Sequence, residues 1–207
     1  VTEKDFQTPQ GTMPTARSLV RQFVEACPVV VTDTDLAHKP EHSLEFQVVF
    51  LQHLFGNGVE LFPILLTSFS DLIPQRRSPS ADSALRYAIR TLREIVASSG
   101  RRTLWIASAD MAHIGRKFGD DADARLLLPE VEQHDRALIA AMRRADAEEY
   151  FRLIAAVEDR YRICGLSPVY TLLAALQPRY GVLTDYRQWY EAETHSAVTF
   201  SSMLYYG

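Results

Sequence analysis

Residues 83–108 read SALRYAIRTLREIVASSGRRTLWIAS, and a change of period inside this stretch decides the fold class. Over 83–98 the apolar side chains Leu85, Ala88, Ile89, Leu92, Ile95 and Val96 recur at helical spacing, with Arg86, Arg90 and Arg93 on the opposite face. After Gly100 that period stops, and Thr103-Leu104-Trp105-Ile106-Ala107-Ser108 is a short, mostly apolar run of strand length. Residues 59–66 form a similar run ahead of a loop at 71–82 that holds Pro74, Pro79, two arginines and two serines. Neither run alternates, which is the pattern of strands covered on both faces. Strand, helix and strand in this order predict a parallel α/β unit, and so an α/β fold with a mixed, mostly parallel sheet flanked by helices.

Working outward, 14–26 predicts a helix, Val29-Val30-Val31 a short strand and 42–54 a second helix. Downstream, helices are expected over 123–144, over 146–160 with Tyr150, Phe151, Ile154 and Val157 inward, and from about 167 to 176. The end changes character: 182–190 and 197–206 are rich in β-branched and aromatic residues, which favours two antiparallel strands. There is no internal repeat and no low-complexity tract, so 1–207 is read as one domain.

The chain has 207 residues, 47% of them hydrophobic, and 22 Lys+Arg against 26 Asp+Glu give a net charge of −4. That length and apolar content suffice for a real core and exclude disorder as a description of the whole. A mildly acidic balance offers no basic face for duplex nucleic acid, so nucleic acid is not expected as a partner. Apolar runs such as 61–66 fall far short of the ~20 residues that cross a bilayer, and no membrane span is expected. Residues 1–5 show no secretory leader, although residue 1 is Val rather than Met. Cys27 and Cys164 make no disulfide framework, which points to a reducing cytoplasm.

There is no Gly-rich phosphate loop, no Gly-x-Ser-x-Gly elbow and no Cys-x-x-Cys pair, which leaves three constellations. In Glu41-His42-Ser43-Leu44-Glu45, residues three and four apart share a helix face that suits a metal or a proton donor. The same acidic groups equally suit a helix N-terminus after Pro40, through the dipole. In 108–115, Asp110 and His113 follow a strand and lie one turn apart, as a carboxylate–imidazole pair for acid/base work requires. Alternatively Asp110 caps a short helix and His113 is a surface residue. A hydrolase triad of Ser108, Asp110 and His113 lacks an elbow and an oxyanion hole. In 161–168 a turn leads into a helix with Cys164 at its start, either a thiolate suited to metal binding or nucleophilic attack, or a small core residue. His38, His53, His134 and His195 have no company that singles them out, and Cys27 reads as structural.

In order along the chain, Pro-Glu-His-Ser-Leu-Glu at 40–45, Ala-Ser-Ala-Asp-Met-Ala-His-Ile-Gly at 107–115 and Ile-Cys-Gly-Leu-Ser-Pro at 163–168 resemble the signatures of Memo proteins, called AmmeMemoRadiSam system protein B in bacteria. Gln7-Thr8-Pro9 and the closing aromatic strand also match, so the likeness covers essentially the whole chain. The resemblance implies a fold related to class III extradiol dioxygenases, which cleave catechols with non-haem iron. It puts Cys164 at the third metal-ligand position, His113 at the acid/base histidine, and Asp110, Glu41 and His42 in or near the same pocket. A cysteine in place of a carboxylate softens the site and favours copper or a redox role over oxygen activation by Fe(II). Some members have been treated as redox or copper-handling proteins, others as binders of phosphotyrosine-bearing peptides.

The sequence departs from this pattern in lacking the family's N-terminal third, whose His-Ala-Gly-Tyr and Pro-Ser-His-His motifs carry the first two metal ligands. With iron or copper implied by the family and one of three ligand positions present, no tightly held transition metal is expected in this chain alone. Two readings follow: a metal-dependent, dioxygenase-like or redox centre, and a non-catalytic module that takes a small-molecule, peptide or anionic ligand in the same cleft. A face that relatives cover is expected to be buried by self-association or by a missing N-terminal segment, or to be covered by the chain's own residues 1–34 making that segment's contacts.

Overall fold

The periodic stretch at 83–98 is a helix from Ser83 to Ser98 that buries Ala88, Thr91, Leu92 and Ile95. In the computed structural model, which describes residues 1–29, 31–32, 35–75 and 77–207, this helix belongs to the first of two compact units, formed by Val1–Thr67 and Ser83–Leu104. The elements of that unit are β1 (Phe6–Thr8), β2 (Gly11–Met13), α1 (Arg17–Ala26), α2 (Asp35–His38), α3 (His42–Phe55) and α4 (Ser83–Ser98). The inward faces of α1 (Leu19, Val20, Phe23) and α4 pack together, and Phe23 meets Phe62 edge-on at 5.9 Å. Each such aliphatic or aromatic side chain stabilises the unit by roughly 1.5–3 kcal/mol when fully buried. Cys27 is buried here, as a structural cysteine should be.

β1 and β2 form a small antiparallel hairpin with Phe6 opposite Met13. The buried Gln52 of α3 ties it down, accepting from Thr8 Oγ1 at 2.5 Å and donating to Gly11 O at 3.0 Å and Asn57 Oδ1 at 2.9 Å. On its other side α3 leaves Phe46, Phe50, Leu54 and Phe55 exposed.

The expectation of a mostly parallel sheet is corrected by the structure. Every ladder between named strands is antiparallel, and among the described residues parallel pairing amounts to an isolated bridge between Thr15 and Leu61. Residues 59–66 and 103–108 form no ladder strands, and Leu104 and Ile106 are exposed. An apolar run becomes a strand only where a neighbour takes up its N–H and C=O groups, and among the described residues the first run pairs in this way only at Leu61, which donates to Pro14 O and accepts from Ala16 N. The boundary between the two units falls inside the second run, between Leu104 and Trp105. Of the strand expected at Val29-Val30-Val31, Val30 lies outside the described residues and Val29 is exposed.

The second unit, Ser68–Asp82 and Trp105–Gly207, holds β3 (His113–Gly115), α5 (Ala124–Arg143), α6 (Ala147–Ala156), α7 (Leu166–Leu176), β4 (Tyr180–Glu191) and β5 (Ser196–Tyr206). Asp123 and Asp146 cap α5 and α6, accepting from Arg125 N and Glu149 N at 2.9 Å each. The two terminal strands pair antiparallel as expected, from Tyr180 opposite Tyr206 to Glu191 opposite Ser196, with a bulge between Leu183 and Asp185. β5 lies in the middle of a three-stranded sheet in the order β3-β5-β4. Its core joins Leu138 and Met142 of α5, Tyr150 and Ile154 of α6, Leu166, Tyr170 and Leu173 of α7, and Ile114 of β3. Among the described residues no helix is long and apolar enough to cross a membrane. The fold class is therefore mixed α/β with small antiparallel sheets.

Candidate metal centre

β3 carries His113 and stays in place because Gly115 ends it. Gly115 has φ +99°, and a Cβ there would lie 2.6 Å from Ser196 Cα on the neighbouring strand. With no side chain at 115, β3 runs close against β5, pairing His113 with Val198 and Ile114 with Ala197. The preceding residues are fastened by Thr199, which is fully buried. Its carbonyl accepts from Met111 N at 2.8 Å, its Oγ1 from Ala112 N at 2.9 Å, and its own N–H donates to Ala112 O at 2.9 Å. Asp110 and His113 are thus the two ends of a turn whose middle is bonded into the sheet.

The partner segment is the turn 159–165 before α7. Asp110 N donates to Cys164 Sγ at 3.0 Å, Cys164 Sγ donates back to Asp110 O at 3.2 Å, and Gly165 N reaches the same carbonyl at 3.0 Å. His113 N donates to Tyr161 O at 2.8 Å. One side-chain ligand atom each from Asp110, His113 and Cys164 lies within 4.8 Å of the others, and His113 Nε2 stands 3.7 Å from Asp110 Oδ2. The structure therefore brings these three predicted site residues together across more than fifty residues of chain.

The other predicted pair, Glu41 and His42, lies in the first unit. Glu41 caps α3, accepting from Ser43 N at 2.8 Å, and that bond holds its carboxyl below the ordinary range. The His42 side chain is 79% exposed, 3.8 Å from Glu41 Oε1 and edge-on to Phe46. Glu41 thus acts as the helix cap that the dipole reading of this motif describes.

The imidazole of His113 is held on its far side. Its Nδ1 meets the carbonyl of Arg162 at 3.1 Å, and because a carbonyl only accepts, Nδ1 carries a proton and Nε2, 3.7 Å from Asp110 Oδ2, is the nitrogen left to ligate. Phe118 closes over the ring edge-on at 5.1 Å. Cys164 is exposed as a residue, but the protein packed around its sulfur desolvates the thiolate and pushes the thiol up to about 11, with the Asp110 charge adding to the effect and the backbone bond from Asp110 N opposing it. The thiol is therefore protonated at neutral pH. A cavity of about 530 Å³ opens beside β3, lined among others by Ile114, Asp120, Leu127, Asp159 and Tyr161.

Sulfur, imidazole nitrogen and carboxylate oxygen form a donor set that suits first-row transition metals. Bonds of roughly 2.0–2.3 Å imply tetrahedral donor separations of about 3.3–3.8 Å, so donors spread over as much as 4.8 Å must close in by about 1 Å. The half-exposed Asp110 side chain has the freedom to do that. Three donors leave positions open for further ligands, and the soft thiolate selects copper or zinc over hard ions. The residues present fit a transition metal.

Sequence reasoning gave no role to Arg162, Asp120, Thr199 or Gly165. Arg162 and Gly165 flank Cys164 in the quoted turn, but nothing in their spacing announced a carbonyl aimed at His113 or a close approach to Asp110.

Residues 1–204 match the sequence profile of the Memo-like protein family. The chain is 29% identical to a MEMO1 family protein of Aquifex aeolicus over 98% of its own length and 50% of the relative's. For a MEMO1 family protein of Thermus thermophilus the identity is 28%, over 96% of this chain and 55% of the relative. A third, from Pyrococcus furiosus, is 30% identical over 78% of this chain and 52% of the relative. The chain spans about half the length of the curated relatives it matches.

Proposed function

Because the chain belongs to the Memo-like protein family, we propose that Asp110, His113 and Cys164 are the chain's share of a transition-metal centre of redox or dioxygenase-like type, with copper favoured over iron. The observation that carries this reading is the convergence of the three donors within 4.8 Å, from two segments that share no secondary-structure element. Cys164 supplies the soft ligand, His113 presents Nε2, and Asp110 supplies the carboxylate. When bound, the metal offers Lewis-acid and one-electron chemistry at its open positions. Around it, the Arg162 carbonyl keeps the His113 ring in one tautomer, Thr199 holds the turn between Asp110 and His113, and Phe118 limits access of water to the imidazole. The Cys164 proton has to leave before the sulfur ligates, so binding releases a proton and strengthens as pH rises.

An anaerobic titration of the chain with Cu(I) and with Fe(II), each against a competing chelator, tests the assignment. With only three donors from this chain, the expected result is weak copper binding at one equivalent, lost to a strong chelator, that Cys164→Ser removes and His113→Gln weakens further. Equal retention of copper by wild type and both variants contradicts it. If no metal binds and a peptide or anionic ligand does, the non-catalytic reading of the same residues takes its place.

A further inference from the structure

We propose that Asp120 is a positioning residue for His113, acting through Arg162 to keep the imidazole in the tautomer that leaves Nε2, the nitrogen beside Asp110, without a proton. The proposal deepens the metal-centre reading and rests on it for its functional meaning, but its structural content stands on the geometry of one closed ring of contacts.

Arg162 has φ +51°, a left-handed conformation that side chains other than glycine seldom hold unaided, and this conformation puts its carbonyl 3.1 Å from His113 Nδ1. Three contacts hold the Arg162 side chain over the same strand. Its Nη2 donates to Asp120 Oδ1 at 2.6 Å, its Nη1 to Asp120 Oδ2 at 3.2 Å, and Nη1 also to the carbonyl of His113 at 3.0 Å. Asp120 is in turn fixed to the end of β3, where its Oδ2 accepts from Gly115 N at 2.7 Å and its own N–H donates to Gly115 O at 3.2 Å. The path therefore runs from His113 along β3 to Gly115, across to Asp120, through the guanidinium to Arg162, and back to the imidazole. A planar fork against a carboxylate constrains both partners in direction, which a single point charge does not.

The consequence is chemical. A neutral imidazole in water distributes its proton between both nitrogens, and the tautomer is chosen by whichever nitrogen finds a fixed acceptor. Here the fixed acceptor is the Arg162 carbonyl at Nδ1, and Nε2 is left 3.7 Å from Asp110 Oδ2. Without Asp120 the guanidinium loses its two-pronged partner, and the turn at 162 loses the tether that aims its carbonyl. The acceptor at Nδ1 then drifts, and the proton redistributes toward Nε2, where it blocks ligation.

The test is nitrogen-15 NMR of the full chain at a pH where the imidazoles are neutral, with His113 identified by the cross-peaks lost in His113→Gln. In wild type the expected pattern is a protonated Nδ1 and an unprotonated Nε2. In Asp120→Asn the Nε2–H form is expected to rise several-fold. Arg162→Lys, which keeps the charge but not the fork, should behave likewise and serves if Asp120→Asn does not fold. Asp123→Ala, which removes the α5 cap instead, should leave the His113 pattern unchanged even if it lowers the melting temperature. Folded Asp120→Asn or Arg162→Lys protein with the wild-type tautomer overturns the proposal, as does a wild type that carries its proton on Nε2. A chain that binds no metal yet loses the Nδ1–H tautomer in Asp120→Asn refutes the metal centre and keeps this inference.

Discussion

Replacing Gly165 by Ala tests how closely the Cys164 turn presses on the Asp110 turn. A Cβ on residue 165 would sit 2.9 Å from Asp110 O, 3.2 Å from Tyr150 Oη and 3.5 Å from Val169 Cγ2. The first neighbour is backbone, and it already accepts from Gly165 N at 3.0 Å and Cys164 Sγ at 3.2 Å, so it cannot swing aside alone. Reaching ordinary contact at 3.4 Å needs a movement of 3.4 − 2.9 = 0.5 Å between the two turns. Overpacking of this kind costs about 1–3 kcal/mol. Residue 165 has φ −68° and ψ −5°, which alanine adopts freely, so a more ordered unfolded chain returns roughly 0.4–1 kcal/mol. The net expectation is a loss of about 1–2 kcal/mol, or a melting temperature lower by roughly 2–8 °C for a chain of this size. Gly58→Ala is the comparison, because its Cβ would meet only Phe55 O, at 3.9 Å. Thermal unfolding followed by circular dichroism reads both variants side by side. If Gly165→Ala melts with Gly58→Ala, the two turns are not in the contact described, and the approach of Cys164 to Asp110 is wrong.

Other expectations concern buried or exposed groups. Asp135 is fully buried, accepts from Tyr186 Oη at 2.8 Å through Oδ2, and is pushed above the ordinary carboxyl range by burial, against the pull of Thr199 and Tyr186. The folded chain keeps that proton at pH values where the unfolded chain has lost it, so wild-type stability falls as pH rises from about 4 through the raised value. Asp135→Asn should therefore gain on wild type in denaturant midpoint between pH 4 and pH 8, and parallel curves would count against the assignment. With its thiol at about 11, Cys164 should react with iodoacetamide slowly at pH 7 and steadily faster up to pH 10, whereas a rate already flat at pH 7 would mean a preformed thiolate. If Phe46 and Phe50, one turn apart on the exposed face of α3, form a self-association surface, a double change to Gln will lower the mass seen by light scattering and leave the melting temperature within a few degrees, and a monomeric wild type would refute self-association. Unchanged association would locate the contact elsewhere.

The helices over 17–26, 83–98, 124–143 and 147–156 were legible because each writes its buried face at a 3.6-residue period, whereas 42–55, whose apolar side chains are largely exposed, and 166–176, buried nearly all round, carry no such stripe. The hairpin of β4 and β5 was legible from its β-branched and aromatic run. The runs at 59–66 and 103–108 misled for one reason. Apolar composition reports a tendency to be covered, but a ladder also needs a neighbouring backbone, and Leu104 and Ile106 have none. At the candidate site, Asp110, His113 and Cys164 carry functional groups that the eye can find in a sequence. Asp120, Arg162 and Thr199 act through a carbonyl, an ion pair and a hydroxyl directed at backbone, and such roles exist only once β3, β5 and the 159–165 turn lie side by side.

The most direct measurement is a titration with Co(II), whose absorption reports both the number of ligands and the presence of sulfur among them. One equivalent is expected to bind weakly, with a near-ultraviolet thiolate charge-transfer band that Cys164→Ser abolishes and an affinity that Asp110→Asn or His113→Gln lowers. A chain that binds no cobalt, or one whose cobalt spectrum lacks the thiolate band and is indifferent to all three substitutions, would contradict the assignment of Asp110, His113 and Cys164 as a metal centre.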